Sequence, residues 1–142
     1  MRVILFVVLS FWPVSAAFAA GLEVEGLWVP EGGDSLVRIA DCGDGTPCGT
    51  VAKLDPSVDA TTDVNNPDPA LRDTPLLGLK MLWGFKPAKD RWRAGRIYDP
   101  GGGKTYRSAI KRLSADQLEV KGCIGPICRT QYWSAAPEVA EN

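Results

Sequence analysis

The fold class this sequence predicts is all-β: an eight-stranded antiparallel up-and-down barrel with one long loop between the third and fourth strands. Three observations predict it. Short β-favouring runs recur between Gly, Pro and Asp clusters, no helical periodicity appears beyond the N-terminal segment, and most links between neighbouring runs are short. Eight antiparallel strands commonly close on themselves because closure removes exposed edges. A two-sheet sandwich is the alternative architecture.

The chain opens with an export signal. Met1 and Arg2 are followed by the apolar run Val3 to Phe11, then Trp12-Pro13 and the small-residue stretch Val14 to Ala20. Ala17-Phe18-Ala19 puts small side chains three residues before and just before a scissile bond, so cleavage is expected after Ala19. The apolar core falls short of the ~20 residues needed to span a bilayer, and no Cys follows the cleavage site to carry a lipid anchor. Residues 1–19 are therefore read as signal peptide and residues 20–142 as one domain, exported to the periplasm or secreted, with a frayed tail from Pro137.

Strands are expected at Glu25 to Val29, Ser35 to Cys42, Cys48 to Leu54, Leu77 to Phe85, Arg91 to Tyr98, Lys104 to Leu113, Gln117 to Cys123 and Ile127 to Ser134. In the fourth, a period of two puts Leu77, Leu79, Met81, Trp83 and Phe85 on one face. Asp55 to Pro75 is far longer than a usual connection. Within it, Asn65-Asn66-Pro67-Asp68-Pro69 has the composition of ordered Asx-type turns, and Ala70-Leu71-Arg72 suits one helical turn.

Composition narrows the function classes. With 16 Lys+Arg against 17 Asp+Glu there is no basic footprint for nucleic acid or an anionic membrane. Histidine is absent, which removes the commonest general base, nucleophile activator and zinc ligand. Carboxylates, lysines and tyrosines remain, in no recognisable catalytic arrangement, and neither a cofactor nor a metal is expected. Asp63, Asn65 and Asp68 are oxygen-rich, but Pro67 and the lack of a distal glutamate spoil the match to a calcium loop.

Four cysteines suit two disulfides in an oxidising compartment. Cys42 and Cys48 flank a turn-rich segment, as do Cys123 and Cys128, so each pair sits where adjacent strands leave one tight loop. Pairing 42 with 48 and 123 with 128 is favoured. A zinc site would have unusual spacings, and neither pair has the CxxC spacing of a redox dithiol.

In a meander, loops alternate between the two ends of the barrel. The first, third, fifth and seventh links, Pro30 to Asp34, Asp55 to Pro75, Asp99 to Gly103 and Ile124 to Pro126, should share one end. That end gathers the candidate ligand- or partner-binding residues Asn65, Asn66, Asp68, Arg72, Tyr98, Asp99, Lys104 and Tyr106, polar groups of both signs beside aromatics. Turn chemistry alone also explains Asp99-Pro100-Gly101, with Arg72 tying the long loop to it. Gly101 to Lys104 lacks the spacing of a phosphate loop.

Gly26-Leu27-Trp28, Val37-Arg38-Ile39, Cys48-Gly49, Asn65-Asn66-Pro67-Asp68, Leu71-Arg72, Pro75-Leu76-Leu77-Gly78, Gly95-Arg96-Ile97-Tyr98-Asp99-Pro100, Gly103-Lys104-Thr105-Tyr106, Gly122, Gly125, Cys128-Arg129 and Trp133 occur in one order across nearly the whole mature chain. In these the chain resembles the bacterial family catalogued as domain of unknown function 2147. It departs at Thr74, where that family tends to carry a second basic residue. The resemblance implies an exported bacterial protein with a lipocalin-like barrel and no established activity. Gly26-x-Trp28 with Arg129 is also similar to the lipocalin arrangement in which an arginine packs over the first-strand tryptophan, so Trp28 and Arg129 are expected to mark barrel closure.

Two functions from different classes fit these features. One is a periplasmic module binding a small apolar or amphipathic ligand in or at the mouth of the barrel, since eight strands permit a cavity. The other is an envelope structural or protein-interaction module whose loop-rich end contacts a partner. An enzyme would have only Asp68, Asp99, Lys104 and Tyr106 to work with, and no nucleophile or metal set beside them.

Overall fold

In the computed structural model the described residues are 20–33 and 35–138, and the proposed signal peptide and residues 139–142 lie outside them. The strands are β1 (Gly26–Val29), β2 (Leu36–Asp41), β3 (Pro47–Lys53), β4 (Lys80–Trp83), β5 (Lys86–Pro87), β6 (Trp92–Asp99), β7 (Lys104–Arg112), β8 (Gln117–Ile124) and β9 (Ile127–Ala135). All named pairings are antiparallel. β1 pairs with both β2 and β9, and β4 pairs with both β3 and β6, so the ring closes. The two-residue β5 continues β4 along β6 after Gly84, whose φ of +75° favours glycine. The result is an eight-stranded closed antiparallel barrel, as the short alternating runs predict.

Cross-strand partners share a face, so the registers stack the inward side chains of β6 to β9 in rows. The lowest row is Arg112, Leu118 and Trp133; above it come Ile110, Val120 and Gln131, then Gly95, Ser108, Gly122 and Arg129. Ile110, Leu118, Val120 and Trp133 of the two lower rows join Val24, Trp28, Val37, Ile39, Leu82 and Phe85 in the buried core. At ~1.5–3 kcal/mol per large apolar side chain, this half of the barrel supplies most of the hydrophobic stabilisation. The third row carries two glycines and a serine. Phe85 takes the space at Gly95, where a Cβ would lie 2.3 Å from its ring, but a Cβ at Gly122 would meet nothing closer than 3.6 Å.

The lower end is sealed by the segment before β1. A 3-10 turn, Ala20–Leu22, packs against the link between β5 and β6: the Trp92 indole N–H donates to Leu22 O at 2.8 Å and that of Trp28 to Val24 O at 3.0 Å. A Cβ at Gly21 would sit 2.0 Å from Asp90 O, so only glycine allows this approach. Beside it, hydrogen bonds and charge from Lys111 and Arg91 hold the Asp90 carboxyl down to about 2.

Two expectations need correction. The cation over Trp28 is Arg112, 5.2 Å from the ring centroid, and not Arg129. Trp28 pairs with Ala135, six residues along β9 from Arg129, a separation of about 20 Å at ~3.3 Å per residue. Arg112 is fixed there by donating to Glu23 O, Ser114 O and Ala115 O. Closure between β1 and β9 holds all the same.

The fourth strand is also shorter than its alternation predicts. Leu82 is fully buried while Leu77 is 58% exposed. Gly78, with φ of +83°, turns the chain before the strand begins, and the pairing with β3 skips Met81, a bulge that resets the alternation.

Candidate functional site

The four links 30–35, 54–79, 100–103 and 125–126 meet at the upper end. Asn65 Nδ2 donates to Pro100 O and Gly101 O at 3.1 and 3.0 Å, and Arg107 donates to Gly125 O at 2.6 Å. Glu31 accepts the Tyr132 amide at 2.9 Å. Gly103 lies so close to Asn65 O that a Cβ would be 1.9 Å away. The long loop is thereby strapped to the β6–β7 hairpin.

The loop owes its order to Asx chemistry. Asn66 Oδ1 accepts the Asp68 amide at 2.9 Å, and Asp68 caps the 3-10 turn Pro69–Leu71 by accepting the Ala70 amide at 3.0 Å. Arg72 donates to Asn66 O at 2.9 Å. Thr62 bridges to Pro75, closing the loop at its neck. Asp63 is 1% exposed and receives Tyr98 Oη–H at 2.8 Å and Asn66 Nδ2–H at 2.7 Å. Burial, the hydrogen bond to Asp63 and the neighbouring Asp99 push the Tyr98 hydroxyl up to about 12.

Two adjoining cavities of about 320 Å³ each lie beneath these links and share Pro30, Met81 and Asp99. The inner one is floored by Met81, Ile97, Val120 and Trp133 and rimmed by Glu31, Asp99, Tyr106, Arg129 and Gln131. It opens where the third inward row carries Gly122, which lines its wall. The outer one runs under the long loop, between Val37 and Val51 of the barrel and Val58, Val64 and Leu76 of the loop.

Of the eight sequence-predicted site residues, Tyr98, Asp99 and Tyr106 line the inner cavity and Asn65 lines the outer. Asn66, Asp68 and Arg72 shape the loop. Lys104 stands exposed opposite Asp99 on the hairpin and lines neither cavity.

Sequence reasoning missed Arg129, Gln131 and Gly122 as cavity residues. Their signal was the strict period of two: from the core residues Val120 and Trp133, steps of two reach Gly122, Gln131 and Arg129. It also missed Ser108, buried on the same row, whose Oγ has no hydrogen-bond partner among the described residues.

The charges at the mouth are unequally engaged. Glu31 Oε2 is taken by the Tyr132 amide and Asp99 Oδ1 by the Gly101 amide at 2.9 Å. The Arg129 side chain makes no hydrogen bond or ion pair with any described residue. Both cysteine pairs are disulfides, 42 with 48 and 123 with 128, the second beside Arg129. Among the described residues no group of three or more His, Cys, Asp or Glu could hold a metal ion, and no helix is long and apolar enough to cross a membrane.

Comparison with known proteins agrees with this architecture. A solved structure described as protein HP1028 from the human pathogen Helicobacter pylori, belonging to the lipocalin family, superposes with a TM-score of 0.72. It is 22% identical, over 84% of this chain and 86% of that one, a likeness of fold. No curated protein matches in sequence. The family model for an uncharacterised protein conserved in bacteria, DUF2147, matches residues 26–135. The chain thus belongs to the DUF2147 family, built on a lipocalin-like barrel.

Proposed function

We propose that this protein is an exported binding module that holds a small apolar or amphipathic molecule in the upper half of its barrel. The observation that carries the reading is the inner cavity, with an apolar floor of Ile97, Val120 and Trp133 beneath a rim of Tyr106, Gln131 and Arg129. Its volume falls at the lower end of the ~300–1,000 Å³ range of small-molecule sites, whose linings are mainly apolar with a few polar groups. Export to the periplasm or beyond is supported by the two disulfides, which persist in oxidising compartments, and by the N-terminal sequence. Extraction and mass spectrometry of protein purified natively from a periplasm tests the reading. A recurrent small molecule at near-stoichiometric yield is expected, and its repeated absence counts against binding.

A second reading, a contact with an envelope protein, is favoured by the tip of the β8–β9 hairpin. Ile127 is 77% exposed there beside exposed Ile124. A pull-down that loses a partner on Ile127→Lys substitution supports that role, and an unchanged partner list opposes it.

A further inference from the structure

We propose that the mouth of the inner cavity selects an anionic head group, a carboxylate or phosphate on a single-chain amphiphile, through Arg129. This rests on the reading of the barrel as a binding module and names the ligand chemistry.

The inward row Gly95, Ser108, Gly122, Arg129 sets Arg129 across from Gly122, so that Arg129 lines the cavity with its side chain exposed at the mouth. Its guanidinium has no partner among the described residues, whereas Glu31 and Asp99 each already accept a backbone amide. Arginine presents a planar fork of donors that matches carboxylate and phosphate oxygens. Tyr106 and Gln131 stand on the same rim to complete the hydrogen bonding.

Occupation dehydrates the mouth, and a neutral head would then leave the guanidinium's donor fork without a charged acceptor within hydrogen-bond reach, while a cationic head would face it directly. Below the mouth, Met81, Ile97 and Trp133 offer only apolar contact. The chamber under the long loop adjoins this floor at Met81.

Titration calorimetry of the exported, disulfide-bonded protein with decanoate, decyl phosphate, decanol and decyltrimethylammonium, all below their micelle concentrations, tests the assignment. The two anions are expected to bind about ten-fold or more tightly than decanol, the order expected of a charge-assisted fork, and the cation weakest. The ratio of the anions to each other tells carboxylate from phosphate as the preferred source. Arg129→Gln should bring the anions and decanol to a common level, and Arg129→Lys should restore part of the preference.

Equal binding of decanol and decanoate, or a preference untouched by Arg129→Gln, overturns the head-group assignment and leaves the cavity reading standing. Tightest binding of the cation also overturns it, transferring selection to Glu31 and Asp99. No binding by any of the four probes removes the binding-module reading and the assignment together.

Discussion

Tyr98→Phe removes one oxygen atom and cuts the clasp between the long loop and the barrel. The Tyr98 hydroxyl donates at 2.8 Å to Asp63, a carboxylate only 1% exposed. Substitution keeps the ring and its packing but leaves Asp63 Oδ1 buried without that donor; Oδ2 retains Asn66. Hydrogen bonds to charged groups contribute ~1.5–3 kcal/mol, so a loss of about 2 kcal/mol is expected, a fall in Tm of roughly 5–10 °C for a domain of this size. A double-mutant cycle with Asp63→Asn in urea should give a coupling above ~1 kcal/mol, as residues in direct contact do.

Hydrogen exchange locates the effect. The Asp63 and Leu76 amides, bonded to Thr74 O and Thr61 O across the neck of the loop, should exchange faster in Tyr98→Phe, while those of β8 and β9 hardly change. The same pair sets an alkaline limit. The Tyr98 hydroxyl is raised to about 12 in the folded protein against 10.0 unfolded, so its contribution is whole below pH 10 and lost as pH rises towards 12. At ~1.4 kcal/mol per pKa unit that contribution is at most about 2–3 kcal/mol, and Tyr98→Phe should flatten the alkaline fall in stability. A coupling below ~0.5 kcal/mol, the usual scatter of additivity, with unchanged exchange at Asp63 and Leu76, would refute the clasp.

Other substitutions probe the rest of the barrel. Ser108→Ala removes a buried hydroxyl that has no partner, so stability should rise by up to about 1 kcal/mol in urea melts; a loss of that size would mean that the hydroxyl is satisfied. Arg112→Ala discards three hydrogen bonds to backbone oxygens and the contact with Trp28, and should cost about 2–3 kcal/mol with a change in tryptophan emission. Arg129→Ala should cost under ~0.5 kcal/mol because its guanidinium contacts no described partner. Replacing Cys123 and Cys128 together by Ser opens a short loop, for which chain entropy gives a loss of about 2 kcal/mol.

The fold was largely legible because period-two alternation and turn residues are local. Strand positions from Trp92 to Ala135 fall within a residue or two of the sequence reading, and both disulfides pair as spacing suggested. The fourth strand was misread because the Met81 bulge and the positive φ at Gly78 and Gly84 reset the alternation, and apolar side chains alone do not show a reset. Arg129 was placed at the closed end by likeness to a two-residue pattern. Strand arithmetic puts it at the open end, and Arg112, on the next strand but one, reaches Trp28 instead.

The loop-end residues were found together, but their roles were not. Asn, Asp and Arg at a turn read alike whether they hold backbone or ligand, and here Asn66, Asp68 and Arg72 hold backbone. The cavity comes from what is missing at Gly122, and a gap in a row becomes visible only once the register is known.

Binding in the upper barrel is tested most directly by filling that gap. Gly122 has no positive φ, and a Cβ there would meet Ile97 and Tyr106 at ordinary contact distances of 3.6 and 3.7 Å, so Gly122→Leu projects its side chain into the inner cavity without displacing backbone. Decanoate affinity should fall about ten-fold or more while Tm moves by less than about 5 °C, roughly 1 kcal/mol. Equal affinity in the folded variant and the parent protein would contradict a ligand site in the barrel mouth.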